Sequence, residues 1–293
     1  MEKLLQWSTA HENGDQEAIK RAGAPDPRIL AQLFGKGGPD EPTLMKEAMI
    51  VLTNPEATLE NRLIAFENFE MLIENLDNAN NIENMKMWPP LLKFLTEESQ
   101  EEDELVASAL SVIGTAVQNN INSQEAFMKY DNSLKNVIKY AGDSSQPFDV
   151  RVKAFYALSN LLRHNPKSCH EFVKLGGLSI VAPVLTDPSV KSKLKLRALS
   201  AVSALLTSVG TDHDMVQTMR ELGIVKASII SLSPEEKNIY VLDKVLNLLS
   251  HFITAGVKFT EEELSLLREH FGSIKPLKER LNEDDYLTVK HVL

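Results

Sequence analysis

The chain repeats a helical pattern about every 44 residues. Segments that begin at Ala65, Ala109, Ala154, Ala198 and Leu242 align in order, with successive starts 44 or 45 residues apart. Apolar residues recur within them every three or four positions, as on one face of an α-helix. A repeat of this length cannot bury its apolar face alone and must stack on its neighbours. The sequence therefore predicts a one-dimensional stack of helices rather than a globular core.

Three of the predicted long helices carry one apolar stripe each, with a small alanine at the same place for close helix crossing. The stripes are Leu105, Ala109, Ile113 and Val117; Val150, Ala154, Leu158 and Leu162; and Leu194, Ala198, Val202 and Leu206. The period is typical of armadillo/HEAT proteins. We expect an all-α, right-handed superhelical solenoid of armadillo/HEAT-like repeats over residues 41–257, in which a long third helix follows two shorter ones.

Signals at helix ends complete the predicted organisation. Thr58 is the expected N-cap of a helix that runs to about residue 76, and Ser233 and Thr260 each precede a capping-box pattern. The last two predicted helices, near residues 261–271 and 276–293, break the period and are expected to cap the solenoid over 258–293. Residues 1–40 have a different composition, with a glycine-rich break at 35–38, and are interpreted as a mobile N-terminal arm.

Charge and cysteine content exclude several classes of protein. The formal net charge of −10 disfavours binding to nucleic acid or to an anionic membrane. The single cysteine, Cys169, excludes an internal disulfide framework. The chain also has no apolar stretch long enough to span a bilayer and no signal-peptide pattern at its start. These features predict a cytoplasmic protein that is not a membrane protein.

Catalytic, cofactor and metal sites are not expected. Cys169 and His170 are neighbours on a predicted helix, so their side chains point about 100° apart, which is unsuitable for a nucleophile and its base. The glycine-rich residues 35–38 lack the order of a phosphate-binding loop. The acidic run at 97–104 is interpreted as a solvated loop that leads into a helix N-terminus.

Three polar features are candidates for a binding surface, although each also has a structural explanation. Residues 74–81 are rich in asparagine, and Gln118, Asn119 and Asn120 end the next long helix, so both could satisfy helix ends or bind a partner along one edge. A basic cluster formed by Lys191, Lys193, Lys195 and Arg197 could be a solvated face or an electrostatic contact with an acidic partner.

Several segments resemble a known family. Residues 74–80 (ENLDNAN), 113–120 (IGTAVQNN) and 149–159 (DVRVKAFYALS) are similar to the armadillo-type nucleotide exchange factors of the seventy-kilodalton heat-shock chaperones. Residues 4–8 (LLQWS) and 39–47 (PDEPTLMKE) resemble the fungal cytosolic Fes-one branch of that family. The resemblance covers essentially the whole chain.

The resemblance implies a monomeric co-chaperone without a catalytic residue or cofactor. In the family, the concave armadillo face embraces one lobe of the chaperone's nucleotide-binding domain and loosens the cleft that holds ADP. The implied chaperone contacts are Asn78, Ala79, Asn80, Asn119, Asn120, Lys195 and Arg197. The N-terminal arm, with Leu4, Leu5 and Trp7, is implied to contact the substrate-binding domain and promote client release and protein folding.

The alternative is an armadillo adaptor of the nuclear-import type that binds extended peptides. Such adaptors present regularly placed Asn and Trp on successive third helices. Here the Asn position holds Asn160, with Thr115, Ala204 and Leu248 as its equivalents. The Trp position holds Tyr156, with Ser111, Ser200 and Lys244 elsewhere. The peptide-binding ladder is therefore incomplete.

Overall fold

The computed structural model describes residues 39–96, 101–236 and 238–293. Throughout these residues the regular structure is helical, without a β-strand. The chain divides into two compact units, residues 1–47 and 48–293. In the described part of the first unit, Asp40 Oδ1 accepts from the backbone N–H of Thr43 at 2.8 Å, at the start of the first helix.

The described residues form sixteen α-helices and three short 3₁₀ segments. The helices are α1 (Glu41–Leu52), α2 (Leu59–Ile73), α3 (Leu76–Asn84), α4 (Trp88–Leu92), α5 (Asp103–Ala116), α6 (Ile121–Phe127), α7 (Ser133–Gly142), α8 (Phe148–Leu162), α9 (Pro166–Lys174), α10 (Val181–Thr186), α11 (Ser192–Val209), α12 (His213–Glu221), α13 (Ile224–Ile230), α14 (Ile239–Thr254), α15 (Glu261–Ile274) and α16 (Glu283–His291).

The third helices of successive repeats form one layer of the second unit. Helix α5 packs between α2 and α8, and α11 packs between α8 and α14. All twelve residues of the three predicted apolar stripes are buried, which confirms the repeat register read from the sequence. Each stripe faces the core, so the opposite edge of each third helix is left for polar side chains.

The connection from a third helix to the next repeat is built in the same way at least twice. Asn119 and His164 adopt a left-handed conformation (φ 51° and 56°) just after α5 and α8. The next residue, Asn120 or Asn165, then caps the following helix by accepting a backbone N–H through its side chain. Asparagine suits the left-handed position, as at Asn119, because it tolerates positive φ. It suits the capping position, as at Asn120 and Asn165, because it is a strong N-cap.

Some of the predicted helix boundaries are confirmed and others differ from the structure. Thr58 caps α2 as predicted, but α2 ends at Ile73 because Asn75 caps a new helix, α3. The predicted helix after Ser233 is wrong: the Ser233 hydroxyl accepts from the backbone of Glu235 within a turn, and α14 begins later, at Ile239. Thr260 forms the predicted capping box at the start of α15.

The two C-terminal helices extend the stack. Helix α15 packs on α13, and α16 packs on α14, whose first residue lies 44 residues earlier. Arg220 joins this end to the preceding repeat, because its guanidinium donates to both carboxylate oxygens of Glu263, at 2.7 and 3.0 Å. Helix α16 begins at Glu283, later than the sequence pattern suggested. Because it packs on α14 at the spacing of one repeat, it takes the place of a third helix.

Candidate functional site

Polar side chains form a connected row across the third helices. Glu70 on α2 accepts hydrogen bonds from the Ser111 and Thr115 hydroxyls of α5, at 2.6 and 2.7 Å. On α8, the Lys153 ammonium donates to Ser111 Oγ at 2.7 Å, and the Tyr156 hydroxyl lies 3.3 Å from Thr115 Oγ1. We call these five residues, together with Arg197, the polar row. Its hydrogen bonds cross three repeats, so its side chains hold defined positions.

Arg197 forms the end of the polar row on α11. Its guanidinium carbon lies 5.0 Å from the centre of the Tyr156 ring, and the Lys153 ammonium lies 5.9 Å from the same ring. A guanidinium is attracted to an aromatic face and keeps its N–H groups available while it stacks there. The row therefore runs from a carboxylate on α2 to a stacked cation on α11.

A cleft of about 480 Å³ lies beside Arg197, between α11, α14 and the start of α16. Tyr240, with 68% of its surface exposed, and Lys244 also line it. Burial lowers the pKa of the Lys244 ammonium, and the charge of Arg163 acts in the same direction. Asp285 in the cleft accepts from the Asn247 amide at 3.1 Å. The cleft thus combines two cations and an exposed aromatic ring with the carboxylates of Asp243 and Asp285.

Three of the predicted contact residues are buried. Asn78 donates from Nδ2 to the Leu72 carbonyl at 2.8 Å, and Ala79 is 3% exposed. Asn120 caps α6 and also donates to Ser123 Oγ, which in turn donates to the Ala79 carbonyl at 3.2 Å. The two asparagine-rich segments are therefore neighbours, as predicted: Asn78 ties α3 to the end of α2, and Asn120 and Ser123 join α6 to the Ala79 carbonyl of α3.

Asn80 and Asn119 have partly or fully exposed side chains. Asn80 lies on α3 beside a cleft that Asn122 and Lys129 of the next repeat also line. Its Oδ1 atom is buried and has no partner among the described residues. Asn119 is exposed at the end of α5, where its left-handed backbone turns the chain towards α6.

Lys195 occupies a recurring structural position. Arg62 and Arg151 lie at the equivalent places of two earlier repeats, and each donates Nε to the backbone carbonyl ten residues before it, at 2.9 and 3.2 Å. Hydrogen bonds from Ser189 hold the pKa of Asp187 below its ordinary value, and the positive charges of Lys195 and Arg151 act in the same direction. Lys195 is half-buried, facing the loop that precedes its own helix.

The remaining candidates from the sequence lie outside the described residues, in the core or on the surface. Leu4, Leu5 and Trp7 of the predicted arm, and the glycine-rich residues 35–38, lie outside the described residues. Cys169 is a core residue, and burial raises the pKa of its thiol to about 11, so the thiol stays protonated at neutral pH. His170 beside it is exposed.

One residue of the acidic run forms an ion pair with an arginine. From the acidic run, Glu101 accepts both guanidinium N–H groups of Arg62, at 2.7 and 2.9 Å. No cluster of histidine, cysteine and carboxylate side chains suited to a metal ion occurs within residues 39–96, 101–236 and 238–293. None of the helices that the structure describes is long and apolar enough to cross a membrane.

Sequence reasoning did not identify the polar row. Glu70 belonged to none of the segments singled out, and Lys153 and Tyr156 lay in the segment 149–159 that carries the family resemblance but received no role in chaperone binding. The available signal was positional: Lys153 and Arg197 lie 44 residues apart, at the same place in two repeats. Asn160, which occupies the asparagine position of the peptide-binding adaptors, is buried and donates to the Gly114 carbonyl at 3.1 Å.

Solved structures of similar fold include armadillo repeat proteins. A designed armadillo repeat protein in complex with a (KR)4 peptide matches with a TM-score of 0.64 and 16% identity, covering 85% of this chain and 97% of that one. An armadillo-repeats-only protein from Plasmodium falciparum matches with a TM-score of 0.55 and 14% identity, covering 76% and 96%. These matches confirm the armadillo solenoid predicted from the repeat.

Relatives by sequence are far more similar. The Hsp70 nucleotide exchange factor FES1 of Saccharomyces cerevisiae is 57% identical over 100% of both chains. The protein of the same name from Candida glabrata is 57% identical over 100% of this chain and 99% of its own. Family models for the nucleotide exchange factor Fes1 and for the SIL1/FES1/HPBP1 C-terminal domain match residues 1–82 and 78–223. With an armadillo fold and full-length relatives of this identity, the chain belongs to the Fes1 family of nucleotide exchange factors.

Proposed function

We propose that this protein is a nucleotide exchange factor that binds the nucleotide-binding domain of a cytosolic Hsp70 chaperone and accelerates ADP release. The observation that carries the proposal is the 57% identity, over its full length, to proteins named Hsp70 nucleotide exchange factor FES1. The protein acts as a monomer in the cytosol. It contributes binding energy and no chemical step.

The mechanism is differential binding. If the protein binds the opened form of the chaperone's nucleotide-binding domain more tightly than the closed form, it stabilises the opened form and weakens ADP binding. Linkage then requires ADP to weaken the binding of the exchange factor by the same factor. A coupling of about 1–3 kcal/mol, or roughly 5- to 150-fold in affinity, is ordinary for such a pair.

The polar row supplies a suitable contact surface. Arg197 can donate two parallel hydrogen bonds to one carboxylate, which favours an acidic surface on the chaperone. Asn80, Asn119 and Lys195 contribute polar atoms at the edges of the same repeats. Asn78, Ala79 and Asn120 support this contact indirectly, because their hydrogen bonds hold α3 against the end of α2 and against α6.

The test is stopped-flow release of a fluorescent ADP from a full-length cytosolic Hsp70, with and without this protein. We expect release at least tenfold faster, which corresponds to about 1.4 kcal/mol off the barrier. Titrations of the complex with and without ADP should give the reciprocal loss of affinity. Unchanged release in the presence of excess folded protein would contradict the proposal.

The proposal includes a separate role for the arm in client release. Its support is the sequence of the arm, where Leu4, Leu5 and Trp7 are apolar side chains that could contact the chaperone's substrate-binding domain. Deleting residues 1–20 should leave ADP release unchanged and slow the release of a fluorescent peptide client. Equal loss of both activities would contradict this division of roles.

A further inference from the structure

The polar row contains one aromatic residue, and it stands where the other repeats have Ser111, Ser200 and Lys244. This residue, Tyr156, faces Arg197 of the following repeat at 5.0 Å. We propose that Tyr156 is a positioning residue: its ring holds the Arg197 guanidinium in the orientation that receives a carboxylate of the chaperone. The inference rests on the proposed function and assigns this contact to a pair of residues on adjacent repeats.

The ring itself is held in place by the neighbouring helix. A side chain at Gly114 on α5 would bring its Cβ to 2.5 Å from two ring carbons of Tyr156, a distance that real contacts do not reach. The ring therefore lies directly on the backbone of α5, where glycine leaves room for it. The Tyr156 hydroxyl also donates to Gln118 Oε1 at 3.2 Å. A side chain fixed at both its face and its tip makes a rigid platform.

Two equivalent cations use their neighbours differently. Lys153 and Arg197 lie at the same position of two successive repeats. Each contacts a residue of the repeat before its own: Lys153 contacts Ser111, and Arg197 contacts Tyr156. Ser111 and Tyr156 also share one position of the repeat. Ser111 accepts a hydrogen bond from Lys153, whereas Tyr156 offers Arg197 only its ring face. The serine therefore takes one of the three N–H donors of the lysine, whereas the tyrosine ring takes none of the arginine's.

Arg197 is accordingly available for a ligand. Within residues 39–96, 101–236 and 238–293, its ring contact with Tyr156 is accompanied by no hydrogen bond and no ion pair. It also lines the cleft that contains Lys244 and the exposed Tyr240, so its side chain has space beside it. A guanidinium that is stacked but not hydrogen-bonded loses little freedom when a carboxylate arrives, and such preorganisation strengthens binding.

A double-mutant cycle tests the inference. The affinity of the full-length protein for full-length Hsp70 with ADP absent is measured for wild type, Tyr156→Leu, Arg197→Ala and the double variant. A cation–π contact of ordinary strength predicts that Tyr156→Leu weakens binding roughly 2- to 30-fold. The same substitution in the Arg197→Ala background should have no further effect, because the tyrosine acts through the arginine. Tyr156→Phe, which keeps the ring, should bind within about twofold of wild type.

Two controls separate positioning from a loss of structure. Tyr140→Leu makes the same substitution at a half-buried position on α7, outside the polar row, and should leave affinity unchanged. The melting temperature of each variant shows whether the fold is retained. The salt dependence of association should fall in Arg197→Ala and stay at the wild-type level in Tyr156→Phe.

The outcomes are distinct. Additive losses in the cycle, or a loss in Tyr156→Phe equal to that in Tyr156→Leu, would overturn the positioning role. If Arg197→Ala binds as wild type does while wild type still accelerates ADP release, the inference fails and the proposed function stands. If wild type binds Hsp70 with the predicted coupling between Tyr156 and Arg197 but leaves ADP release unchanged, the contact stands and the proposed function fails.

Discussion

Replacing Gln124 with leucine is expected to lower the free energy of unfolding by about 3–5 kcal/mol, because several buried polar groups lose their partner at once. The Gln124 Nε2 atom lies 3.3 Å from the carbonyl of Val117, 2.8 Å from that of Asn160 and 3.1 Å from that of Arg163. Its Oε1 atom accepts from Asn165 Nδ2 at 3.1 Å. One side chain thus satisfies groups at the ends of two third helices and a cap of the next repeat.

Urea denaturation followed by circular dichroism measures this loss. Gln217→Leu is the matched control, because Gln217 is exposed on α12 and its amide bonds only to the Glu221 carboxylate among the described residues. A change within about 0.5 kcal/mol is expected for that surface substitution. If the two variants lost the same stability, the Gln124 contacts would not be important for joining the repeats.

The fold was predictable from the sequence because an apolar stripe has a single physical explanation. Leu105 and Ala109 recur at helical spacing, and their equivalents recur 44 or 45 residues later, so burial of that face was required wherever the helices began. Boundaries were less predictable. Ser233 and Pro234 look like a helix start, yet the helix begins at Ile239, because a turn can use the same local hydrogen bonds.

The asparagine-rich segments could not be assigned from the sequence, because an amide can cap a helix or bind a partner equally well. The structure places Asn120 in a cap and gives Asn78 a backbone carbonyl as its partner. A comparison of repeats contains part of this information, since Asn120 and Asn165 are 45 residues apart and cap equivalent helices. Polar residues that recur with the period favour a structural role.

The same comparison explains why the basic cluster divides into two roles. Lys195 recurs as Arg62 and Arg151, which bond to backbone carbonyls, so a basic residue at its position also has a structural explanation. Arg197 recurs as Lys153, but the residue that it contacts changes from Ser111 to Tyr156. This contact joins residues 41 positions apart on different helices, and no local pattern in the sequence reports it.

Replacing Arg197 with glutamate is expected to weaken the complex with Hsp70 by about 100- to 1,000-fold and to remove the acceleration of ADP release at the same protein concentration. A charge-assisted contact of about 1.5–3 kcal/mol is lost, and a carboxylate that faces a carboxylate adds repulsion. Each 1.4 kcal/mol is tenfold in affinity, so a combined loss of about 3–4 kcal/mol gives that range.

Arg280→Glu is the matched control, because it makes the same change of charge at an exposed residue of the 3₁₀ segment Lys275–Arg280, which lies between α15 and α16. Both variants shift the net charge from −10 to −12, so any general electrostatic repulsion from the chaperone affects them equally. Isothermal titration and ADP release measured on both proteins isolate the local contribution at position 197. Similar losses in the two variants would mean that net charge controls association. A loss confined to Arg197→Glu, at an unchanged melting temperature, would place the acidic surface of the chaperone against the end of the polar row.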